Sequence, residues 1–141
     1  MSITVSLIEG PPDVVTDEFA VATNEDWVRS YQITRNGIPV AFEAGWKVYM
    51  QMVSDTGSVG LTASLDNRQF IITDAATGAF ALQIRMSETS QVVPGSYLYD
   101  IVLVAGEGTY RLVKGKVTVE QGITTVPGTE KWTHVPLIAR P

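Results

Sequence analysis

Apolar and polar residues alternate with a period of two along most of the chain. Phe80, Leu82, Ile84 and Met86 alternate with Ala81, Gln83 and Arg85. Trp46, Val48, Met50 and Met52 alternate with Lys47, Tyr49 and Gln51. Successive side chains of a strand point to opposite faces, so each run carries one apolar and one mostly polar face. This pattern predicts half-buried antiparallel strands. Residues 2–8 and 70–73 are shorter runs rich in β-branched residues. Residues 97–104 are apolar on both faces apart from Asp100, which predicts a central strand.

Turn residues punctuate these runs. Asn36 and Gly37 sit between 31–35 and 38–42. Asn-Gly marks a hairpin, because a type I′ turn needs positive φ at both central residues. Pro39 cannot donate to a ladder, so its strand is expected at an edge or a bulge. Residues 55–57 and 74–78 read as further turns, and 106–108 join the strand from Tyr97 to a strand over 109–119. In that last strand the apolar parity changes between Tyr110 and Leu112, on one side, and Val117 and Val119, on the other. Gly115 lies at the change, which predicts a bulge there. Residues 86–93 read as one helical turn or a loop crossing between sheets. Pro11 and Pro12 break the chain after the first strand.

Seven or eight short strands with regular turns predict an all-β fold, a single antiparallel β-sandwich of immunoglobulin-like type with an extended C-terminal arm. A small barrel is the alternative. The Cys…Trp…Cys spacing of a true immunoglobulin domain is missing, since there is no cysteine. The expected core is Trp46, Val48, Met50, Phe80, Leu82, Ile84, Tyr99, Ile101 and Leu103.

The chain divides into a sandwich over 1–122 and an arm over 123–141. The arm holds Pro127, Gly128, Pro136 and Pro141 and shows no sustained alternation. It nevertheless carries Trp132, Val135, Leu137 and Ile138, and disordered tails are poor in such residues. These four are the candidate partner contacts, against the plainer reading that the arm packs on its own domain. The start of the chain, residues 1–8, is a second candidate.

Composition narrows the function. The 141 residues fit one domain with a core of ordinary size. Disulfides and thiolate metal sites are excluded. A net charge of −5, with ten scattered basic residues, disfavours nucleic acid and anionic membranes as partners. No stretch approaches the ~20 apolar residues of a membrane span. Residues 1–8 lack the pattern of a secretory signal, so synthesis in the cytoplasm is expected.

Candidate chemistry is sparse. The one histidine, His134, lies in the arm, and neither a catalytic triad nor a zinc site is built from one such residue. Asp13, Asp17 and Glu18 could cluster, but no EF-hand spacing accompanies them. Most other carboxylates, such as Asp55, Asp66 and Asp74, sit where turn hydrogen bonding favours them. Asp100 is the sole charge of an apolar strand, with Lys114 or Lys116 as expected partners. Residues 106–108 precede no helix and form no phosphate cradle. Trp27, Trp46 and Trp132 read as core or contact anchors rather than a sugar platform. No catalytic, cofactor-binding or metal-binding residue is expected.

From Asp26 to Gly122 the features follow a recognisable order. Residues 27–34, a strand ending at Phe42, and residues 46–53 come first. The run 74–80 (DAATGAF), the run 93–101 (VPGSYLYDI) and the strand 115–119 (GKVTV) follow, closing before Thr124. This order, over about two thirds of the chain, resembles small β-sandwich modules of tailed bacteriophages, such as the N-terminal domain of baseplate upper proteins and related head or tail proteins. The resemblance implies a non-enzymatic structural component of a virion, in capsid, neck, tail or baseplate. It implies other virion proteins as partners, a homo-oligomer or multi-copy assembly, and no cofactor. The alternative is a carbohydrate- or receptor-binding module, and a small hydrolase ranks last.

Overall fold

Strand alternation dictates two sheets whose apolar faces meet. The computed structural model describes residues 2–6 (as backbone), 14–35, 37–106 and 108–124. The strands are β1 (Ser2–Ser6), β2 (Val15–Ala22), β3 (Trp27–Arg35), β4 (Ile38–Pro39) and β5 (Lys47–Ser54). They continue with β6 (Val59–Ser64), β7 (Phe70–Asp74), β8 (Ala79–Ile84), β9 (Gly95–Ala105) and β10 (Gly108–Glu120). One sheet has the order β1-β3-β8-β7, with β4 paired to β3, and the other has the order β2-β10-β9-β5-β6. The result is an all-β sandwich. Two pairings are parallel, β1 with β3 and β2 with β10. The other pairings among the described residues are antiparallel.

The core lies between the sheets. Tyr31, Ile33, Val48, Met52, Phe80, Leu82, Ile84, Ile101 and Leu103 are fully buried. Phe80 is its aromatic centre: Tyr31 stacks on it at 5.2 Å, and Phe42 and Phe70 lie at 6.0 and 5.7 Å. Eight of the nine expected core residues are buried. Trp46 is the exception. It precedes β5, is half-buried, and packs its ring 5.7 Å from Phe42 at the margin of the core.

The predicted turns form. Arg35 pairs with Ile38 and Gly37 takes a positive φ of 79°, while Asn36 lies outside the described residues. Asp74 caps a single 3-10 turn (Ala75–Thr77) by accepting the Ala76 amide. A one-turn helix, α1 (Met86–Thr89), carries the chain from one sheet to the other. The central place of β9, between β10 and β5, is as expected. Its second face is not buried, however, and Leu98 is 68% exposed there. Pro11, Pro12 and nearly all of the arm lie outside the described residues.

Three expectations are corrected. The bulge of β10 falls at Leu112, between Arg111 and Val113, and not at Gly115. Leu112 and Val113 are both buried, so the bulge itself resets the inward parity. Gly115 is required for a different reason. A Cβ there would run into the carbonyl oxygen of Asp17, so only glycine lets β2 approach β10 so closely. The third is the pairing: the sandwich is not wholly antiparallel, because the chain alternates between the sheets from β1 to β3, so β1 and β2 join their neighbours in parallel and not through hairpins. The sequence pattern also passed over β2, whose inward residues are only half-buried, and β6, which is short and rich in small residues.

Candidate functional site

Two charged residues fall on inward-facing positions. Asp17 shares its parity in β2 with Val15 and Phe19, and Arg29 shares its parity in β3 with Trp27 and Tyr31. A charge on an inward position has to find a partner there. Arg29 Nη2 donates to both carboxylate oxygens of Asp17, at 2.8 and 2.7 Å. Tyr99 Oη lies 2.9 Å from the Asp17 carbonyl oxygen and 3.0 Å from Oδ2, donating to one at a time. The guanidinium rests 4.1 Å above the Phe19 ring, a cation–π contact, and Phe19 meets Tyr99 edge-on. Arg29 Nε and Tyr31 Oη are buried; Arg29 and Tyr31 interact electrostatically, but neither atom makes a hydrogen bond of good geometry among the described residues.

The chemistry of this cluster is that of a clamp. Burial opposes the charge on Arg29, but the hydrogen bonds and field of Asp17 outweigh it and hold the guanidinium pKa above its ordinary value. Burial pushes the Tyr31 phenol up to about 12, and it pushes Tyr99 up as well. Neither phenol ionises near neutrality, and the carboxylate is committed to Arg29. The group ties one sheet to the other along the side where β2 faces β3. Asp17 therefore does not join Glu18 at a cation site. Glu18 points outward from β2, and Asp13 lies outside the described residues. Among the described residues no three His, Cys, Asp or Glu side chains come together as metal ligands.

The outer face of the β2-β10-β9-β5-β6 sheet is open. Lys114 stands directly opposite Asp100 across the β9–β10 hairpin, as expected of a neighbour, while the ion pair itself is made with Arg111 at 3.2 Å. Both side chains of that pair are about half exposed. A shallow depression of about 370 Å³ lies beside them, lined by Leu98, Arg111, Lys114, Lys116 and Glu18 among others. Tyr49 is an exposed aromatic on this face.

The side opposite the clamp, where β6 and β7 are joined by residues 65–69, carries no ion pair in its two edge strands. β6 is uncharged and β7 has only Asp74 at its end. Val59, Ile71 and Ile72 are exposed there, although Ile72 pairs with the fully buried Phe80. At one end of this side a groove of about 430 Å³ opens between the β5–β6 hairpin and the segment leading into β9. Val59 and Val93 are apolar walls, and Ser54, Ser58 and Ser96 are among its hydroxyl lining. The Tyr97 ring packs where a Cβ of Gly60 would stand, and its hydroxyl donates to the Val93 carbonyl. Asp55 is the only charged residue lining the groove among the described residues.

Trp132, Val135, Leu137, Ile138 and His134 lie outside the described residues, so the expected partner contacts have no placement. Sequence reasoning missed both the clamp and the groove. The clamp had a signal, a charge on the apolar parity of each of two strands. The groove had none, because it forms from three separate segments. Among the described residues no helix is long and apolar enough to cross a membrane.

No family model matches this chain, and no curated protein matches it in sequence. Solved structures do align with it. The N-terminal domain of phage TP901-1 ORF48 is 16% identical with a TM-score of 0.48, covering 84% of this chain and 98% of that one. The chitinase ChiW from Paenibacillus sp. str. FPU-7 is 15% identical with a TM-score of 0.46. A family 123 glycoside hydrolase from Clostridium perfringens is 12% identical with a TM-score of 0.49. Each of these two aligns over 84% of this chain, which spans only 8% of the chitinase and 25% of the hydrolase.

Proposed function

We propose that this chain is a non-enzymatic structural component of a tailed-phage virion, made in the host cytoplasm and built into a multi-copy assembly through protein–protein contacts. The observation that carries the reading is the asymmetry of the sandwich. One side is tied by charges set between the sheets. The other leaves Ile72 exposed on the core-facing parity of β7 and Val59 exposed at the start of β6, in two nearly uncharged edge strands, and the Lys47–Asp66 ion pair at its 65–69 connection is itself exposed. Exposed apolar edges of this kind favour a protein surface as their cover. The order of features over residues 26–122, described above, supports placing that surface in a virion. The arm supplies Trp132, Val135, Leu137 and Ile138 as matching apolar groups, worth roughly 1.5–3 kcal/mol each for the largest when fully buried.

A chain ending at Gly122 tests this. It is expected to keep the circular dichroism of the full protein and to lose oligomerisation. Unfolding on truncation would assign the arm to its own core, and unchanged assembly would remove the arm from the contact. A second reading, a carbohydrate- or receptor-binding module, draws on the open depression near Leu98 and Arg111. Tyr49 is the single exposed aromatic of that face among the described residues, whereas a sugar platform uses several. Glycan-array binding abolished by Tyr49→Ala would favour it.

A further inference from the structure

We propose that the depression beside Leu98, on the outer face of the β2-β10-β9-β5-β6 sheet, binds a small organic oxyanion: one carboxylate, sulfate or phosphate head on an apolar body. The inference goes beyond the assembly reading and does not depend on it.

Charge placement comes first. The chain carries a net charge of −5, yet Arg111, Lys114 and Lys116 stand together on β10. Lys114 and Lys116 share its outward parity, about 7 Å apart along the strand. Arg111 would point inward in a regular strand, and the extra residue at Leu112 brings it round to the same face. All three line the depression, with Glu18 as its one acidic residue among the described residues. Arg111 has Asp100 as its ion-pair partner. Lys114 and Lys116 make no ion pair or hydrogen bond among the described residues, although Asp100 and Glu18 stand opposite them in register. Protection of a sheet edge does not account for these lysines, because β10 lies between β2 and β9. Like charges so close repel each other, and an oxyanion between them reverses that sign.

Shape supplies the rest. Leu98 is 68% exposed and is the register partner of Lys116, so an apolar wall stands beside the cations. The volume of about 370 Å³ suits a single ring with its head group. A polyanion laid along this face would also meet Glu18 and Asp100, which favours a ligand with one charged head.

Equilibrium dialysis of the full-length chain against toluenesulfonate tests the site. Inorganic sulfate serves as the head alone and toluenesulfonamide as the uncharged body. Saturable binding of toluenesulfonate is expected, at least about fivefold tighter than either control. Lys116→Gln should weaken it by about fivefold, the loss of one charge contact near water. Lys114→Gln together with Lys116→Gln should abolish it with the circular dichroism unchanged, and Lys116→Arg, which keeps the charge, should retain it. Leu98→Asn should weaken toluenesulfonate and leave sulfate as it was. Sulfate bound as tightly as toluenesulfonate would mean an adventitious ion only and overturns the proposal. Binding that survives the double lysine substitution, or no saturable binding of toluenesulfonate, overturns it as well. Sedimentation equilibrium of the same samples reports assembly separately, so this proposal and the assembly reading fail independently.

Discussion

The two long sides of the sandwich solve the same problem differently. Where β2 faces β3, the seam between the sheets is closed by Arg29 and Asp17, with Tyr99 and Phe19 packed around them. Where β6 and β7 run, no such group bridges the sheets among the described residues, and Ile72 is 42% exposed although it shares the face of buried Phe80. A charged bridge satisfies its own partners and presents little apolar surface. An open apolar seam leaves its burial to be completed from outside. The lesson is that two seams of one core can serve different ends, one stability and the other association.

The comparison can be broken or sharpened in steps. The largest effect is expected at the shared core. Leu82→Ala should cost roughly 2–5 kcal/mol in denaturant unfolding, from lost transfer energy and the cavity left behind. A cost under about 1 kcal/mol would mean that β8 presents its other face to the core. Asp17→Ala should cost roughly 2–3 kcal/mol, less than a fully buried pair, because both side chains keep some contact with water. Equal cost for Asp17→Ala and Val59→Glu would erase the distinction between the sides.

A smaller effect separates the clamp by pH. The Tyr31 phenol sits at about 12 when folded, against about 10 in an unfolded chain. The unfolded chain then loses that proton first, so this contribution is fully present below pH ~10 and is lost as pH rises toward 12. Tyr31→Phe should soften that alkaline loss, and near neutrality it should change stability by under about 1 kcal/mol, since the buried hydroxyl makes no hydrogen bond of good geometry among the described residues. An unchanged alkaline limb in the variant would contradict the assignment. The smallest effect is expected on the open side, where Val59→Glu should alter stability by no more than about 0.5 kcal/mol.

Much of the fold was legible because its determinants are local. The alternation in 47–54, 79–84 and 97–104, and the pairing of Arg35 with Ile38, follow from period and turn chemistry alone. What failed depended on neighbours far along the chain. Gly115 reads locally as a bulge residue, yet its real constraint is the Asp17 carbonyl of β2. Asp100 has Lys114 opposite it in register, yet its ion pair reaches diagonally to Arg111, a choice that side-chain placement and not strand pattern decides. β2 was overlooked because an edge strand with half-buried inward residues gives a weak pattern. The clamp was hidden with it, although Asp17 on an apolar parity was there to be read.

The central claim is that the open side, and not the clamped one, is where this chain meets its neighbours. Sedimentation equilibrium of the full-length chain beside Val59→Glu and Asp17→Asn tests it directly. The account predicts a concentration-dependent multimer for the wild-type chain and for Asp17→Asn, and a folded monomer for Val59→Glu. A Val59→Glu chain that associates as strongly as the wild type, or an Asp17→Asn chain that stays folded yet falls to monomer, would contradict it.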